Sequence, residues 1–274
     1  MYALVQAYTQ LLAETGHDNP QRTIEELLAH HLNCKPLEIY NQPTIDESIV
    51  EIDLNRLLKN EPLQYILGTA HFYGIEFNCD TRALIPRPET ENLIERILES
   101  DLNDHPTPRL IDVGTGTGCI ALTLATHFSS AHIEAVDSSE AALALTWENA
   151  KKLGLSERIV LHHNNLLNER PDEAYDAIIS NPPYIATDHW KALPTSVREF
   201  EPRAALDAGP NGTEYYEAIA PEAWRSLKPN GHLFLEIGYD QGDLIQRILQ
   251  RNRFHTIQLQ KDLNGHERII HARK

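Results

Sequence analysis

The residues most able to do chemistry are Asn181-Pro182-Pro183-Tyr184, which follow the apolar run Ala174-Tyr175-Asp176-Ala177-Ile178-Ile179-Ser180. That run reads as a buried strand, so the tetrapeptide sits at a strand end. Each proline fixes its own backbone angle, Pro183 also restricts Pro182, and neither has an N–H, so nearby carbonyls are left to accept hydrogen bonds. Asn181 adds a side-chain carbonyl and Tyr184 a flat face. A planar NH2 group donated into two such acceptors would be held with its nitrogen aimed at an incoming electrophile. Read alone, Asn-Pro-Pro is equally compatible with a plain turn.

A second set of residues lies upstream. Asp112-Val113-Gly114-Thr115-Gly116-Thr117-Gly118 closes a predicted strand and opens a helix. Glycines there let the backbone approach a ligand, and the helix start offers free N–H groups. The spacing Gly-x-Gly-x-Gly, with an acid before it, departs from the dinucleotide fingerprint and points to another nucleoside ligand. Asp137 ends the next strand and can accept two ribose hydroxyls, or it can cap the helix that begins near Ser138-Ser139-Glu140.

The elements that must position these residues alternate. The sequence predicts strands at 109–113, 132–137, 159–163 and 175–180, and helices at 91–100, 118–128 and 139–153. A helix at 215–227 follows, then the turn Lys228-Pro229-Asn230-Gly231, a strand at 232–237, a helix at 243–251 and a final stretch 256–271 closing the sheet with an antiparallel strand. Alternation of this kind means a parallel sheet wrapped by helices, with ligands at the carboxyl ends of the strands. Residues 1–70 instead read as helical: Leu4, Tyr8, Leu11 and Leu12 share one face, Ile24, Leu27, Leu28 and Leu32 another, and a third helix is expected from Asp46 to Leu58 with its cap near Thr44. Between the two parts, residues 71–84 contain Phe72-Tyr73-Gly74-Ile75-Glu76-Phe77, which predicts a hairpin joint.

Composition narrows the possibilities. The 274 residues carry 24 basic and 40 acidic side chains, a formal charge of -16. Phosphate backbones are bound by clustered Lys and Arg, so a stable nucleic-acid complex is not expected. Residues 1–80 hold 4 basic and 12 acidic side chains, half of that net charge, which suits docking to a basic protein surface or simply a solvated face. Cys34, Cys79 and Cys119 have no paired spacing. His30-His31, His162-His163 and His266-Glu267-Arg268-Ile269-Ile270-His271 miss the spacings of metal ligands, so no metal is expected. The first basic residue is Arg22 and no apolar run reaches membrane-spanning length, which predicts a cytoplasmic protein without a leader or membrane anchor. A monomer is expected.

Strand, glycine loop, second-strand acid and Asn-Pro-Pro-Tyr together resemble the S-adenosylmethionine-dependent methyltransferases with a Rossmann-like seven-stranded sheet. Further segments narrow the likeness: Pro62 to Gly68, Phe72-Tyr73-Gly74, Leu84 to Glu91, Phe200 to Leu206, Glu236-Ile237-Gly238 and Lys261-Asp262-Leu263. In order and over essentially the whole chain, they resemble the peptide chain release factor glutamine methyltransferases, the PrmC or HemK family. The resemblance implies N5-methylation of the glutamine in the Gly-Gly-Gln motif of class 1 peptide chain release factors, with S-adenosyl-L-methionine as methyl donor. By position, Gly114, Thr115, Gly116, Thr117, Gly118, Asp137 and Asn181 would bind that cofactor. An acid commonly follows the third strand of the family to meet the adenine; here the region reads His163-Asn164-Asn165-Leu166, so Asn165 would accept from the exocyclic amine and Leu166 would pack on the ring. Residues 1–70 would recognise the protein substrate and 85–274 would form the catalytic domain. Asn181, Pro182, Pro183 and Tyr184 would bind the glutamine, with Asn181 and the Pro182 carbonyl catalytic.

No carboxylate adjoins the tetrapeptide in sequence, so the expected mechanism is geometric and the proton leaves after methylation; Glu89 as a general base is the alternative. Two rival readings remain at this level. One is an N6-adenine-type nucleic-acid methyltransferase, because an amine on a flat ring poses the same gripping problem. The other is a binder that keeps the sheet as a scaffold.

Overall fold

The computed structural model describes residues 1–42 and 44–274, and it divides into two compact units. The first comprises Met1–Thr69 together with Leu193–Phe200. Its N-terminal part is built of α1 (Tyr2–Ala13), α2 (Pro20–Leu32), α3 (Glu47–Leu57) and α4 (Leu63–Leu67). Their core is Val5, Tyr8, Leu12, Ile24, Leu27, Leu28, Val50, Leu54 and Leu57, with Ile39 from the turn after α2. The inward stripe of α1 runs through positions 5, 8 and 12, and Leu11, expected on it, is 44% exposed one position round the helix. α3 is capped by Asp46 rather than near Thr44: the Asp46 carboxylate accepts from the Ser48 N–H at 3.0 Å and satisfies a donor the helix start leaves free.

The second unit, Ala70–Ala192 and Glu201–Lys274, opens on a hairpin. Strands β1 (Thr69–Phe72) and β2 (Ile75–Asn78) are joined by Tyr73 and Gly74, both at positive φ, the backbone that matches strand twist in a two-residue turn. The paired strands therefore begin before and end earlier than the 71–84 stretch expected. Helix α5 (Pro88–Leu98) also starts earlier than residue 91, because Pro88 fits the first helical position, where an N–H would have no partner. Next come β3 (Arg109–Val113), α6 (Cys119–His127), β4 (His132–Asp137), α7 (Glu140–Lys152), β5 (Ile159–His163) and β6 (Tyr175–Ser180). After the short α8 (Thr195–Arg198), which belongs to the helical unit, the chain forms α9 (Glu214–Ser226), β7 (Leu227–Glu236), α10 (Gly242–Arg251), β8 (His255–Lys261) and β9 (Glu267–Arg273). The turn expected at 228–231 is instead an irregular start of β7, held by reciprocal bonds: Asn230 N–H donates to the Lys274 carbonyl and Lys274 N–H to the Gly231 carbonyl.

Seven strands make one sheet in the order β5-β4-β3-β6-β7-β9-β8, parallel except for β9, which runs antiparallel to both β7 and β8. Alternate side chains of each strand feed two cores. Leu110, Ile133, Ala177, Ile179 and Phe234 meet α5 and α6, while Ile111, Ile178, Leu233, Leu235 and Ile270 meet α9 and α10. Strand order reverses between β3 and β6. Adjacent strands there send their crossovers to opposite faces, and the gap between them is where an open α/β sheet binds its ligands. Among the described residues, no helix is long and apolar enough to cross a membrane.

Candidate functional site

The glycine loop leaves β3 and the tetrapeptide leaves β6, and because these strands are neighbours, paired Val113 to Ser180, both segments border one cleft. In the loop, Gly114, Gly116 and Gly118 take φ of 77°, 58° and 82°, a region that costs any residue with a Cβ strain. The turn is fastened from below: the Gly114 and Thr115 N–H groups both donate to the Val136 carbonyl, at 2.8 and 3.2 Å. From α7, Thr146 donates to the Gly116 carbonyl at 2.9 Å and Asn149 to the Thr117 carbonyl at 2.9 Å. Asn149 also exchanges two bonds with the backbone of Asn78, tying the hairpin to the loop. Asp112 underlies the turn, fully buried, and accepts from the Thr115 hydroxyl at 2.7 Å; burial pushes its carboxyl up to about 7.

Asp137 reaches the same cleft from β4. One of its oxygens accepts from Gly116 N–H at 3.0 Å and the other from Ser139 N–H at 2.9 Å. The cap of α7 is Ser139, whose hydroxyl accepts from Ala142 N–H. Each Asp137 oxygen retains a lone pair for a ligand hydroxyl. Asn165 and Leu166 also line the cleft, Asn165 exposed and Leu166 half-buried against the core beneath α9.

Gly114, Thr115, Gly116, Thr117, Asp137, Asn165, Leu166, Asn181, Pro182 and Pro183 are thus brought to one cleft. Gly118 and Tyr184 are not among its lining residues. Gly118 starts α6, and a Cβ on it would lie 2.7 Å from Thr146 Cγ2, so its part is close helix packing. Tyr184 turns its ring into the core shared with α9, where burial pushes its hydroxyl up to about 12. The flat face expected to meet the substrate is therefore packed inward, and the Tyr184 carbonyl accepts from Gln241 Nε2 at 3.0 Å.

Three further features were invisible to motif reading. The absence of a carboxylate beside the tetrapeptide holds only along the chain. Parallel pairing of Ser180 with Leu235 sets Asn181 beside Glu236, the last residue of β7. Thr90, in the first turn of α5, bridges them: its hydroxyl lies 2.6 Å from Glu236 Oε2 and 3.1 Å from Asn181 Nδ2. Both Thr90 and Glu236 are buried, and desolvation raises the Glu236 carboxyl to about 7. Glu89, the base considered from sequence, lies in the first turn of α5 and raises the Glu236 pKa by like-charge repulsion. On the opposite wall, buried Glu201 accepts from Ile85 N–H at 3.1 Å and from Arg87, stapling the segment before α5 to the segment that carries Pro202, Ala204 and Ala205. The only sequence signal for Thr90, Glu236 and Glu201 was their place in the quoted family-like segments; nothing in their spacing linked them.

Among the described residues, no group of three or more His, Cys, Asp or Glu side chains could hold a metal ion. His162 instead meets Glu134 at 2.8 Å and His31 meets Asp53 at 3.1 Å.

Comparison with known proteins adds independent findings. Residues 3–68 match the family model for the PrmC N-terminal domain, and residues 93–200 match that for the methyltransferase small domain. A release factor glutamine methyltransferase of Rhodopirellula baltica is 35% identical over 99% of this chain and 95% of its own length. One of Enterococcus faecalis is 40% identical over 84% of this chain and 82% of its own. Among solved structures, the hMettl16 catalytic domain in complex with the MAT2A 3'UTR hairpin 6 superposes with a TM-score of 0.59, covering 73% of this chain and 76% of that one at 19% identity. A methyltransferase from Pyrococcus furiosus gives 0.52, covering 84% and 99% at 14%. At such identities the structural likeness establishes the fold alone.

Proposed function

The chain belongs to the release factor glutamine methyltransferases, and from that premise we propose that its cleft transfers a methyl group from S-adenosyl-L-methionine to the side-chain nitrogen of the Gly-Gly-Gln glutamine of class 1 peptide chain release factors. The observation that carries the assignment is the junction of two segments: a glycine loop and an Asn-Pro-Pro turn leave neighbouring strands at the point where sheet order reverses.

The residues present fit the cofactor. Gly114 has open space where a Cβ would stand, so a ligand's carboxylate or amine can approach the loop backbone. Asp137 would take the ribose hydroxyls, and Asn165 and Leu166 would border the adenine. When bound, S-adenosyl-L-methionine supplies an electrophilic methyl sulfonium. The chain supplies geometry.

A primary amide is a weak nitrogen nucleophile because its lone pair is delocalised into the carbonyl. Asn181 Oδ1 and the Pro182 carbonyl would accept its two hydrogens, favouring a pyramidal nitrogen whose lone pair points into the cofactor end of the cleft. Alignment and water exclusion then provide most of the rate, with Pro183 and the 202–205 segment forming apolar walls. Once alkylated, the nitrogen is acidic and its proton leaves without a strong base on the cleft wall. Incubating the protein with a purified release factor and S-adenosyl-L-methionine, then sequencing the motif peptide by mass spectrometry, tests the proposal. One methyl on the motif glutamine is expected, and an unmodified glutamine at full cofactor occupancy would overturn it.

A further inference from the structure

We infer that Thr90 and Glu236 are positioning residues that decide which end of the Asn181 amide faces the cleft; the inference rests on the assignment of Asn181 to the substrate amide. The two ends of an asparagine amide have nearly the same shape, so only their partners distinguish them. Thr90 has a single hydroxyl proton to share between Glu236 Oε2 at 2.6 Å and Asn181 at 3.1 Å. An ionised carboxylate can only accept. The Thr90 proton therefore goes to Glu236, the Thr90 oxygen keeps only lone pairs for Asn181, and Asn181 must offer it the NH2 end. Its carbonyl oxygen is left for the cleft, as a substrate NH2 requires. Reversed polarity, with a protonated Glu236 donating to Thr90 and Thr90 donating to the Asn181 oxygen, would set NH2 against NH2.

The groups facing Glu236 come from every neighbouring element: burial opposes its charge, hydrogen bonds from Thr90 on α5 and Asn181 after β6 and the charge of Arg268 on β9 favour it, and Glu89 on α5 opposes it. Tyr184 after β6, Tyr216 on α9 and Cys119 on α6 complete the surroundings, and the Tyr216 hydroxyl donates to the Glu236 backbone carbonyl at 2.9 Å. Glu236 is 1% exposed and is not on the cleft wall, so it acts on the Asn181 amide, directly and through Thr90, and not on the substrate.

The test compares wild type, Thr90→Val, which keeps the shape and loses the hydroxyl, Thr90→Ser, which keeps the hydroxyl, and Glu236→Gln. A misaligned acceptor should lower kcat for methylation of an intact release factor about 10- to 100-fold in Thr90→Val, with KM and S-adenosylhomocysteine affinity little changed. Thr90→Ser should recover most of that loss. In wild type, kcat should fall on the acid side of about pH 7, and in Glu236→Gln, which cannot titrate, that limb should vanish. Hydrogen exchange of the Asn181 side-chain NH2, followed by NMR, should be slow in wild type and fast in Thr90→Val. A Thr90→Val enzyme with wild-type kcat, or an acid limb that survives Glu236→Gln, overturns the inference. If Thr90→Val does not melt cooperatively, the Glu236→Gln profile decides. The exchange measurement needs no turnover, so it separates failure of the relay from failure of the substrate assignment, which wild-type methylation reads by itself.

Discussion

Alanine at Asn181 removes one of the two acceptors assigned to the substrate amide while leaving the glycine loop and Asp137 in place. Single-turnover methylation should be nearly abolished and cofactor affinity should stay within a few-fold by calorimetry. Asp137 carries a different load, because its carboxylate serves both a prospective ligand and the Gly116 and Ser139 N–H groups. Asp137→Ala should weaken S-adenosyl-L-methionine binding by roughly 1.5 to 3 kcal/mol, the worth of hydrogen bonds to a charged group. Unchanged affinity in calorimetry would reduce Asp137 to a loop fastener. At this scale the sequence named most of the residues that line the cleft, since Asn181 and Asp137 are marked by residue type and place at a strand end. It could not name Thr90 or Glu236, separated by 146 positions in the chain, because their partnership exists only through strand register.

Among the elements, α6 and its approach to α7 make the clearest demand. Gly118 has φ of 82°, and a Cβ would sit 2.7 Å from Thr146 Cγ2 and 3.1 Å from Leu122 Cδ1. Gly118→Ala should therefore destabilise the protein by about 1 to 3 kcal/mol through strain and overpacking, read as a lower urea midpoint at unchanged m-value. Because Thr146 also donates to the Gly116 carbonyl, cofactor affinity should fall with it. Strand boundaries were legible to the residue at β3, β4, β5 and β6, where the runs end against glycine, serine or asparagine. Helix starts were less so. α5 begins at Pro88 and α3 at the Asp46 cap because those side chains satisfy or dispense with free N–H groups, a choice that competing candidates one turn away could equally have made.

Over the whole molecule, stability should follow pH through two opposed sets of buried groups. His232 and His271 are hydrogen-bonded to each other at 2.9 Å in the sheet face beneath α5, and burial lowers them from 6.5 to about 4 and about 3. Unfolded chains bind those protons first, so their contribution is complete above pH 6.5 and is lost as pH falls through about 4 for His232 and about 3 for His271. Glu236 and Asp112 behave in the opposite sense. Their folded values are raised to about 7, so their contribution is present at low pH and is lost as pH rises from the ordinary carboxylate range through about 7. Because the two windows overlap, the opposed slopes largely cancel, and urea midpoints should change little between about pH 4 and 6.5 in the wild type. Replacing both His232 and His271 with Phe should leave the carboxylate slope alone, so that midpoints fall as pH rises from about 4 to 6.5.

The helical unit is the proposed recognition surface. Truncation at residue 71 is a poor test of it, since Leu193–Phe200 belongs to that unit and would lose its partners. Reversing the exposed acids Glu14, Asp18 and Glu51 to Lys is cleaner. KM for an intact release factor should rise several-fold at low salt with kcat unchanged, and the penalty should shrink as salt screens it. An unchanged KM would make the acidic face only a solvated surface.

Residue type and periodicity alone determined the alternating sheet, the helical N-terminal region, the glycine loop and the Asn-Pro-Pro turn, because each of these depends on neighbours a few positions apart. Only the tertiary structure decided that Tyr184 faces the core, that 193–200 joins the helical unit, and that Glu236 reaches Asn181 through Thr90. Those outcomes depend on which strands lie side by side and in what register. A pairing between distant segments is set by the joint packing of two cores, and no local pattern along the chain encodes it.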